Sequence, residues 1–160
     1  MQALRWQCAP FDQLALRELY ALLALRAEVF VVEQTCAYQD IDGRDPEAWH
    51  LLGWVGGEDP APLLAYARLF APGARYAEAS VGRIVTAPAV RGRGLGRELV
   101  ARAIEECRAR FGPAPIRISA QAHLQRFYAE QGFAAEGPLY DEDGIPHVQM
   151  VRPGGWERAP

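Results

Sequence analysis

The first third of the chain predicts a strand, a long helix and a loop. Residues 4–8 have the pattern of a short strand that Pro10 ends, and Asp12 is expected to cap a helix over residues 13–32. Apolar residues recur in that segment at helical spacing, so one face of the helix is expected to pack on the core. These residues are Leu16, Leu19, Leu23, Ala27 and Phe30. Residues 33–49 contain Asp-Gly and Pro and predict an acid-rich loop.

From the middle of the chain onward, strand-like and helix-like patterns interleave. Segments 50–55 and 63–70 flank a turn rich in Gly and Pro, which predicts an antiparallel hairpin. Further strands are expected at 80–86, 116–120, 133–136 and 147–152, and further helices at 94–111 and 123–131. Gly132 follows the last helix, where glycine commonly ends a helix. This order predicts an α+β fold in which helices cover a sheet in an α/β/α layering.

Length and composition fit one ordinary globular domain. The chain has 160 residues, and we assign residues 1–153 to the domain and 154–160 to a loose tail. No apolar run approaches the ~20 residues that span a bilayer, and the first residues lack the layout of a secretory signal. A cytoplasmic protein without membrane contact is therefore expected. The cysteines are odd in number and not in metal-ligand spacing, so reduced thiols and no metal are expected.

The charged residues exclude several classes of function. The net charge of −3 at pH 7 argues against nucleic-acid binding. All 17 basic residues are arginine, so the chain lacks the lysine on which P-loop nucleotide triphosphatases and Schiff-base enzymes depend.

The segment VRGRGLGRELV, residues 90–100, concentrates glycine and arginine between a predicted strand and a predicted helix. It contains Arg91, Gly92, Arg93, Gly94, Gly96 and Arg97. Glycine permits positive φ and leaves the backbone accessible, and the first amides of a helix attract anions. Because guanidinium groups also suit phosphate geometry, the segment predicts a site for a phosphate-bearing ligand. The alternative is a glycine-rich turn whose arginines are merely solvated.

The spacing of the glycines separates two kinds of nucleotide loop. A dinucleotide-binding loop would need a third glycine where this chain has Arg97, and an acid about twenty residues later that is absent. The pattern Arg-x-x-Gly-x-Gly matches at Arg91, Gly94 and Gly96. This pattern resembles the loop that binds the coenzyme A pyrophosphate in the GNAT acetyltransferases.

Other stretches carry the resemblance over nearly the full chain. AQAHLQRFYAEQGF (120–133) resembles the later helix of that family, where a tyrosine near the coenzyme sulfur precedes Gly-Phe; here it is Tyr128. Gln121 stands where the family often has Asn. LRAEVFVVEQTCAYQDIDG (25–43), SAQAHLQRFYAEQGF (119–133) and YDEDGIPHVQM (140–150) resemble the ElaA-like branch.

The resemblance implies a fold, a reaction and a set of binding residues. The fold is a mixed, mostly antiparallel sheet flanked by helices, and the reaction moves an acetyl group from acetyl-CoA to an amine that attacks the thioester directly. The implied coenzyme-binding residues are Ile84, Val85, Thr86, Arg91, Gly92, Arg93, Gly94, Gly96, Arg97 and Gln121. The backbone of residues 84–86 would pair with the pantetheine arm and stabilise the oxyanion. Tyr128, protonated at neutral pH, is the candidate general acid for the leaving thiolate.

The sequence leaves the general base and the acceptor open. Glu33, His50, His123 and His147 qualify as a base by residue type, with Glu33 and His147 each next to an acidic stretch; a water chain is an alternative, as is Cys36 as an acyl relay. The acceptor is expected to be a small-molecule or peptide amine.

Two acidic stretches suggest that this amine is cationic. Residues 28–47 carry six acids and one arginine, a local charge of −5, and residues 141–143 are all acidic. Ordinary solvated loops are the alternative interpretation. Two rival functions are a non-catalytic module that senses acyl-CoA and a nucleotide-binding protein of another class, and exposed sheet edges allow a homodimer.

Overall fold

Seven strands and three α-helices form the part of the chain that this computed structural model describes, residues 4–57 and 61–155. The strands are β1 (Leu4–Pro10), β2 (Trp49–Val55), β3 (Leu63–Phe70), β4 (Ala79–Thr86), β5 (Ile116–Gln121), β6 (Ala134–Glu142) and β7 (Ile145–Arg152). The helices are α1 (Leu16–Arg26), α2 (Leu95–Phe111) and α3 (Gln125–Ala129). None of the helices in these ranges is long and apolar enough to cross a membrane.

The strands make one sheet in the order β1-β2-β3-β4-β5-β7-β6. All neighbours are antiparallel except β4 and β5, which pair in parallel only at Ala79–Ile116 and Ser80–Arg117. The predicted mixed, mostly antiparallel sheet is confirmed, as is the hairpin of β2 and β3, although its turn residues 58–60 lie outside the described residues.

A bulge in β4 bends this strand at the point where it leaves β5. The register of β3 against β4 shifts between Tyr66 and Arg68, and Arg83 has a φ of 50°. A bulge of this kind adds a residue to one strand and increases its local twist. Beyond Ser80 the two parallel strands therefore separate, and a cleft opens in the middle of the sheet.

The helices cover both faces of the sheet, which confirms the predicted α/β/α layering. On one face α1 packs on β2, β3 and β4 through Leu22, Leu25, Val29, Leu52, Trp54, Tyr66 and Val85. On the other face α2 packs through Leu95, Leu99, Val100, Ala103, Ile104 and Cys107. Successive side chains of a strand point to opposite faces of the sheet, which explains why the core is divided into two clusters. Leu51 and Ala65 lie in the cluster under α2, and their neighbours Leu52 and Tyr66 lie in the cluster under α1.

Helix α1 differs from the prediction at its start and on its buried face. Residues Phe11–Gln13 form a 3-10 turn, so Asp12 caps nothing; the helix is capped at Ala15, whose amide donates to the Glu18 carboxylate at 2.9 Å. Leu16 was predicted to face the core and is 85% exposed. The buried positions are Leu22, Leu25, Arg26 and Val29. Ala27 is exposed as well, whereas Leu19, Leu23 and Phe30 are half-buried and pack against the core as predicted. The apolar spacing located one side of the buried face and missed its centre, which includes the charged Arg26.

After Arg26 the helix widens into a π-helical segment, Ala27–Glu33. The amides of Gln34 and Cys36 donate to the carbonyls of Val29 and Val31, both at 3.1 Å, which are i→i−5 bonds. The segment carries the end of α1 to the edge of the cleft.

The C-terminal elements also differ in length from the prediction. The helix predicted at 123–131 is a 3-10 turn at Ala122–Leu124 followed by the short α3, and Gly132 ends it at a φ of 88° as expected. The last two strands are longer than predicted, because Asp143 and Gly144 both adopt positive φ and close a tight hairpin turn between them. Gly155, within the predicted tail, donates to the Pro113 carbonyl at 2.9 Å; residues 156–160 lie outside the described residues.

Three arginines and three aspartates form a closed ring of ion pairs beside the cleft, called the buried ring because four of its six members are buried. Arg26 contacts Asp40 and Asp45, Arg68 contacts Asp45 and Asp42, and Arg83 contacts Asp42 and Asp40, at N–O distances between 2.7 and 3.5 Å. The side chains of Arg26 and Arg68 are fully buried. Burial alone would raise the pKa of Asp42 and Asp45, but hydrogen bonds from the arginines outweigh it and hold both pKa values below their usual range. The ring fixes the loop between α1 and β2 to α1, β3 and β4.

His50 is enclosed beside this ring and has a structural role. Its Nε2 lies 2.9 Å from the Asp45 carbonyl, which can only accept, so Nε2 carries the proton and donates it. Nδ1 then accepts from the Tyr66 hydroxyl at 2.8 Å. Burial lowers the pKa of His50, so the imidazole is neutral at pH 7. His50 does not line the cleft, and this removes it from the candidate bases.

We expect the free energy of unfolding to fall as the pH drops from 7 to 5 and to fall again below pH 4. Unfolded His50 takes up a proton near pH ~6.5, whereas the folded state resists protonation because its pKa is lowered, so acid favours unfolding. Asp42 and Asp45 act in the same direction at lower pH, since their unfolded carboxylates protonate near pH ~3.9. Urea unfolding at several pH values measures both steps. The variant His50→Gln should lose the first step and keep the second; an unchanged first step would contradict the assignment.

Candidate active site

The separation of β4 from β5 leaves a cleft of about 460 Å³. Its walls come from β4, β5, the π-helical segment, the start of α2, α3 and the hairpin of β6 and β7. The sequence-predicted residues that line it are Glu33, Cys36, Ile84, Val85, Thr86, Arg91, Gly96, Gln121, His123, Tyr128 and His147. Gly92, Arg93, Gly94 and Arg97 do not line the cleft; they are exposed at its rim, in the loop and at the start of α2.

One edge of β4 faces the cleft without a partner strand. β3 pairs with the other edge, with Ala65 opposite Thr86 and Tyr66 opposite Val85. Beyond Ser80, no pairing with β5 joins the described residues of β4. An unpaired strand edge can accept an extended polar ligand as an additional strand.

The glycine–arginine loop presents free amides at the start of α2. Gly92 and Gly94 have φ values of 75° and 85°, a region that glycine adopts at little cost, and Gly94 is the N-cap residue. Within the described chain, the amides of residues 92–96 have no hydrogen-bond acceptor. Together with the helix dipole they form an anion site.

The arginines of this loop differ in their contacts. Arg91 pairs with Glu33 at 2.7 Å, an exposed contact that joins the loop to the π-helical segment. Arg97 pairs with Glu130 at the end of α3. Arg93 is exposed, with no ion pair inside the described ranges. All three are therefore within reach of solvent beside the free amides.

Tyr128 lies on α3 at the wall of the cleft. Its ring packs edge-on against Phe127 and Phe133, at centroid distances of 5.1 and 6.0 Å, and 6% of the residue is exposed. Burial raises the pKa of Tyr128 to about 12. The hydroxyl therefore stays protonated throughout the neutral range and can serve as a proton donor.

Side chains from opposite walls meet across the cleft. The amide of Gln121 donates to the Gln34 side chain at 3.3 Å, and the thiol of Cys36 donates to the Asp143 carbonyl at 3.2 Å. All three cysteines are free. Burial raises the pKa of the Cys8 and Cys107 thiols to about 12, as expected for unreactive groups.

The acids of residues 28–47 do not form the unbalanced negative patch that their count suggests. Three of them belong to the buried ring, Glu47 pairs with Arg44 at 2.6 Å, and Glu33 pairs with Arg91. Arginines from distant parts of the chain balance this segment. Glu142 and Asp143, from the second acidic stretch, do line the cleft.

Sequence reasoning missed several polar residues around the cleft. Arg83 lines it from the bulge of β4, and Ser119 lines it from β5. The sequence does contain a signal for the ring of ion pairs. Arg26 and Arg68 interrupt the apolar runs LLALRAEVF and LAYARLF. A charged residue in a buried run needs partners, and the neighbouring loop offers three aspartates.

Comparisons with known proteins agree with this architecture. Residues 62–152 match the acetyltransferase (GNAT) domain. The ElaA protein of Escherichia coli is 42% identical over 151 residues, covering 93% of this chain and 96% of that protein. Its crystal structure matches with a TM-score of 0.85 at 40% identity, over 93% of this chain and 99% of that one. An acyl-CoA N-acyltransferase structure from Pseudomonas aeruginosa gives a TM-score of 0.87 at 45% identity, covering 94% and 99%. These likenesses confirm the resemblance inferred from the sequence: the chain belongs to the GNAT acetyltransferase family, in its ElaA-like branch.

Proposed function

We propose that this protein transfers an acetyl group from acetyl-CoA to an amine, which attacks the thioester directly. The observation that carries the proposal is that one cleft combines free amides at a helix N-terminus, an unpaired strand edge and a buried, protonated tyrosine. Membership of the family supports acyl-CoA-dependent N-acetyl transfer in general.

The residues of the cleft fit the three parts of coenzyme A. The amides of residues 92–96, with Arg91, Arg93 and Arg97, suit the pyrophosphate, because they combine bare donors with solvent-exposed positive charge. The open edge of β4 at residues 84–86 suits the polar pantetheine arm, and its amides can stabilise negative charge that develops on the carbonyl oxygen. Gln121 lines the cleft next to this path.

Tyr128 is the proposed proton donor to the coenzyme sulfur. A thiolate leaving the thioester takes a proton, and a phenol that is protonated at neutral pH can supply it. Coenzyme A contributes the activated acyl group; the chain binds it, orients it and moves the protons.

The acceptor is proposed to be a small-molecule or peptide amine, and a cationic one is favoured. Glu142 and Asp143 line the cleft, and carboxylates attract a protonated amine. The proposed preference for a cationic acceptor depends on these two acids, at the hairpin between β6 and β7. The acids of residues 28–47 add little attraction, because arginines pair with most of them.

Calorimetric titration with acetyl-CoA, coenzyme A, ATP and NADPH tests the binding site. We expect the two coenzyme A forms to bind and the other nucleotides not to bind. The variant Arg91→Ala should weaken binding about tenfold, because it removes a charge-assisted contact to phosphate. Arg126→Ala, a 94% exposed side chain on α3, serves as the matched control and should bind normally. Equal binding of ATP would contradict the proposed ligand.

Release of free thiol in the presence of an amine panel tests the reaction. Binding without release for any amine would favour the rival function, a module that senses acyl-CoA. Faster acetylation of polyamines than of uncharged amines would support a cationic acceptor, and equal rates would contradict it.

A further inference from the structure

A chain of hydrogen bonds runs across three neighbouring strands at the hairpin end of the cleft. The Gln149 amide lies 2.7 Å from the Tyr140 hydroxyl, which lies 2.5 Å from the Ser119 hydroxyl. Ser119 in turn lies 2.7 Å from the Glu142 carboxylate. The register of the sheet creates this arrangement, since Ser119 is opposite Gln149 and Tyr140 is opposite His147.

The two end groups of this series of hydrogen bonds, the Gln149 amide and the Glu142 carboxylate, fix the direction of every bond in it. The Gln149 nitrogen can only donate, and an ionised carboxylate can only accept. Tyr140 therefore accepts from Gln149 and donates to Ser119, and Ser119 donates to Glu142. Two hydroxyls in series hold the carboxylate in one orientation, and such chains strengthen their members.

His147 is held at the other side of this carboxylate. Its Nδ1 lies 2.7 Å from the Ile145 carbonyl, an obligate acceptor, so Nδ1 carries a proton. In the neutral imidazole, Nε2 is then the bare nitrogen, and it lies 3.8 Å from the Glu142 carboxylate. The residue is 9% exposed and lines the cleft.

The three candidate bases that line the cleft, Glu33, His123 and His147, are thus in different situations. His123 is exposed, on the 3-10 turn after β5. Glu33 is at the coenzyme-loop side and is paired with the Arg91 guanidinium. His147 has a free acceptor nitrogen, a fixed tautomer and a carboxylate that stabilises the imidazolium formed on protonation.

We propose that Nε2 of His147 takes the proton of the acceptor ammonium, and that Glu142 is a positioning residue held by Ser119, Tyr140 and Gln149. The inference rests on the proposed function. One ammonium proton passes to His147 and then to solvent, which frees the amine lone pair. The N–C bond forms and the C–S bond breaks, and Tyr128 gives its proton to the leaving thiolate. The second nitrogen proton passes to water after attack, and Tyr128 regains a proton from solvent, so one proton is released in total.

Several other charged or titratable groups line the cleft together with His147 or contact its ring. The hairpin contributes Tyr140 and Glu142 with Asp143 in its turn, and the 3-10 turn after β5 contributes His123. The loop after α1 contributes Cys36 and Tyr38, and β4 contributes Arg83, which is paired in the buried ring. Glu142 is the charged group that contacts the imidazole.

NMR of the free protein can show which ring nitrogen of His147 carries the proton, without any enzymatic reaction. Nitrogen-15 NMR of the free protein at pH 8 resolves three histidines, and His147→Gln identifies the signal. We expect a proton on Nδ1 and none on Nε2. A proton on Nε2 would overturn the inference, because that nitrogen could not accept another.

Kinetics test the role in transfer. For the amine that wild-type protein acetylates best, His147→Gln should lower kcat/KM at pH 7 by about 100-fold or more, the usual contribution of a general base. The loss should shrink toward pH 9, where more of the amine is already neutral, and the Kd for acetyl-CoA should be unchanged. A kcat/KM within about threefold of wild type at pH 7 would overturn the inference.

Glu142→Gln keeps an acceptor for Ser119 and removes only the charge. It should lower kcat/KM at pH 7 about tenfold and move the acidic limb of the pH profile to lower pH. Glu136→Gln, an exposed carboxylate on the same strand, is the control and should change neither. An unmoved limb in Glu142→Gln would overturn the role of the carboxylate. If wild-type protein acetylates no amine, the proposed function itself fails; if it does and His147→Gln is unimpaired, only this inference fails.

Discussion

Replacing Arg26 with methionine is expected to lower the free energy of unfolding by about 3–5 kcal/mol. The guanidinium is fully buried, and it bonds the Asp40 and Asp45 carboxylates at 2.9 and 2.7 Å and also the Asp40 carbonyl at 2.8 Å. Methionine fills a similar volume, but the buried carboxylates of Asp40 and Asp45 each lose one positively charged partner. The loss of stability arises from incompletely paired buried negative charge and not from a cavity.

Urea unfolding of the purified variant at pH 7 measures this effect. Arg126→Met is the matched control, because that arginine is 94% exposed and its pair with Glu130 should contribute less than about 1 kcal/mol. The double variant Arg26→Met with Asp45→Asn should recover part of the loss, since it removes one of the stranded charges. A loss below about 1 kcal/mol in Arg26→Met would contradict the importance of the ring.

Replacing Tyr128 with phenylalanine is expected to lower kcat about 100-fold or more and to leave the Kd for acetyl-CoA unchanged. The change removes one hydroxyl and keeps the ring contacts with Phe127 and Phe133. Because burial raises the pKa of Tyr128 to about 12, this residue should give no limb to the pH profile below about pH 11.

Steady-state release of thiol and calorimetric titration measure the two quantities separately. Tyr20→Phe on the exposed surface of α1, where the residue is 76% exposed, controls for loss of a hydroxyl alone. Normal turnover by a folded Tyr128→Phe protein would remove the residue from its role as proton donor.

Local chemistry explains what could be predicted from the sequence. The loop and the start of α2 were placed correctly because Gly92 and Gly94 are needed for positive φ. Short β-rich runs between turn residues located the strands. The family motifs then identified Arg91 and Tyr128, both of which line the cleft.

Long-range pairing explains what could not be predicted. The buried face of α1 depends on Arg26, whose partners lie 14 and 19 residues away. The charge of residues 28–47 was misjudged for the same reason, because its balancing arginines lie on β3, β4 and the loop after β4. The chain from Gln149 to Glu142 requires three strands in one register, which periodicity along a single strand does not specify.

The ring of three arginines and three aspartates also restricts which substitutions this sequence can accept during evolution. It is neutral as a whole, and each member contacts two others, so a neutral substitution at any one position leaves one charge of the ring uncompensated. Such a step is costly, whereas exchange of an entire ion pair for apolar residues of equal volume is often tolerated. Substitutions at these six positions are therefore expected to be accepted in pairs of opposite charge, and the first change in each pair is the evolutionary barrier.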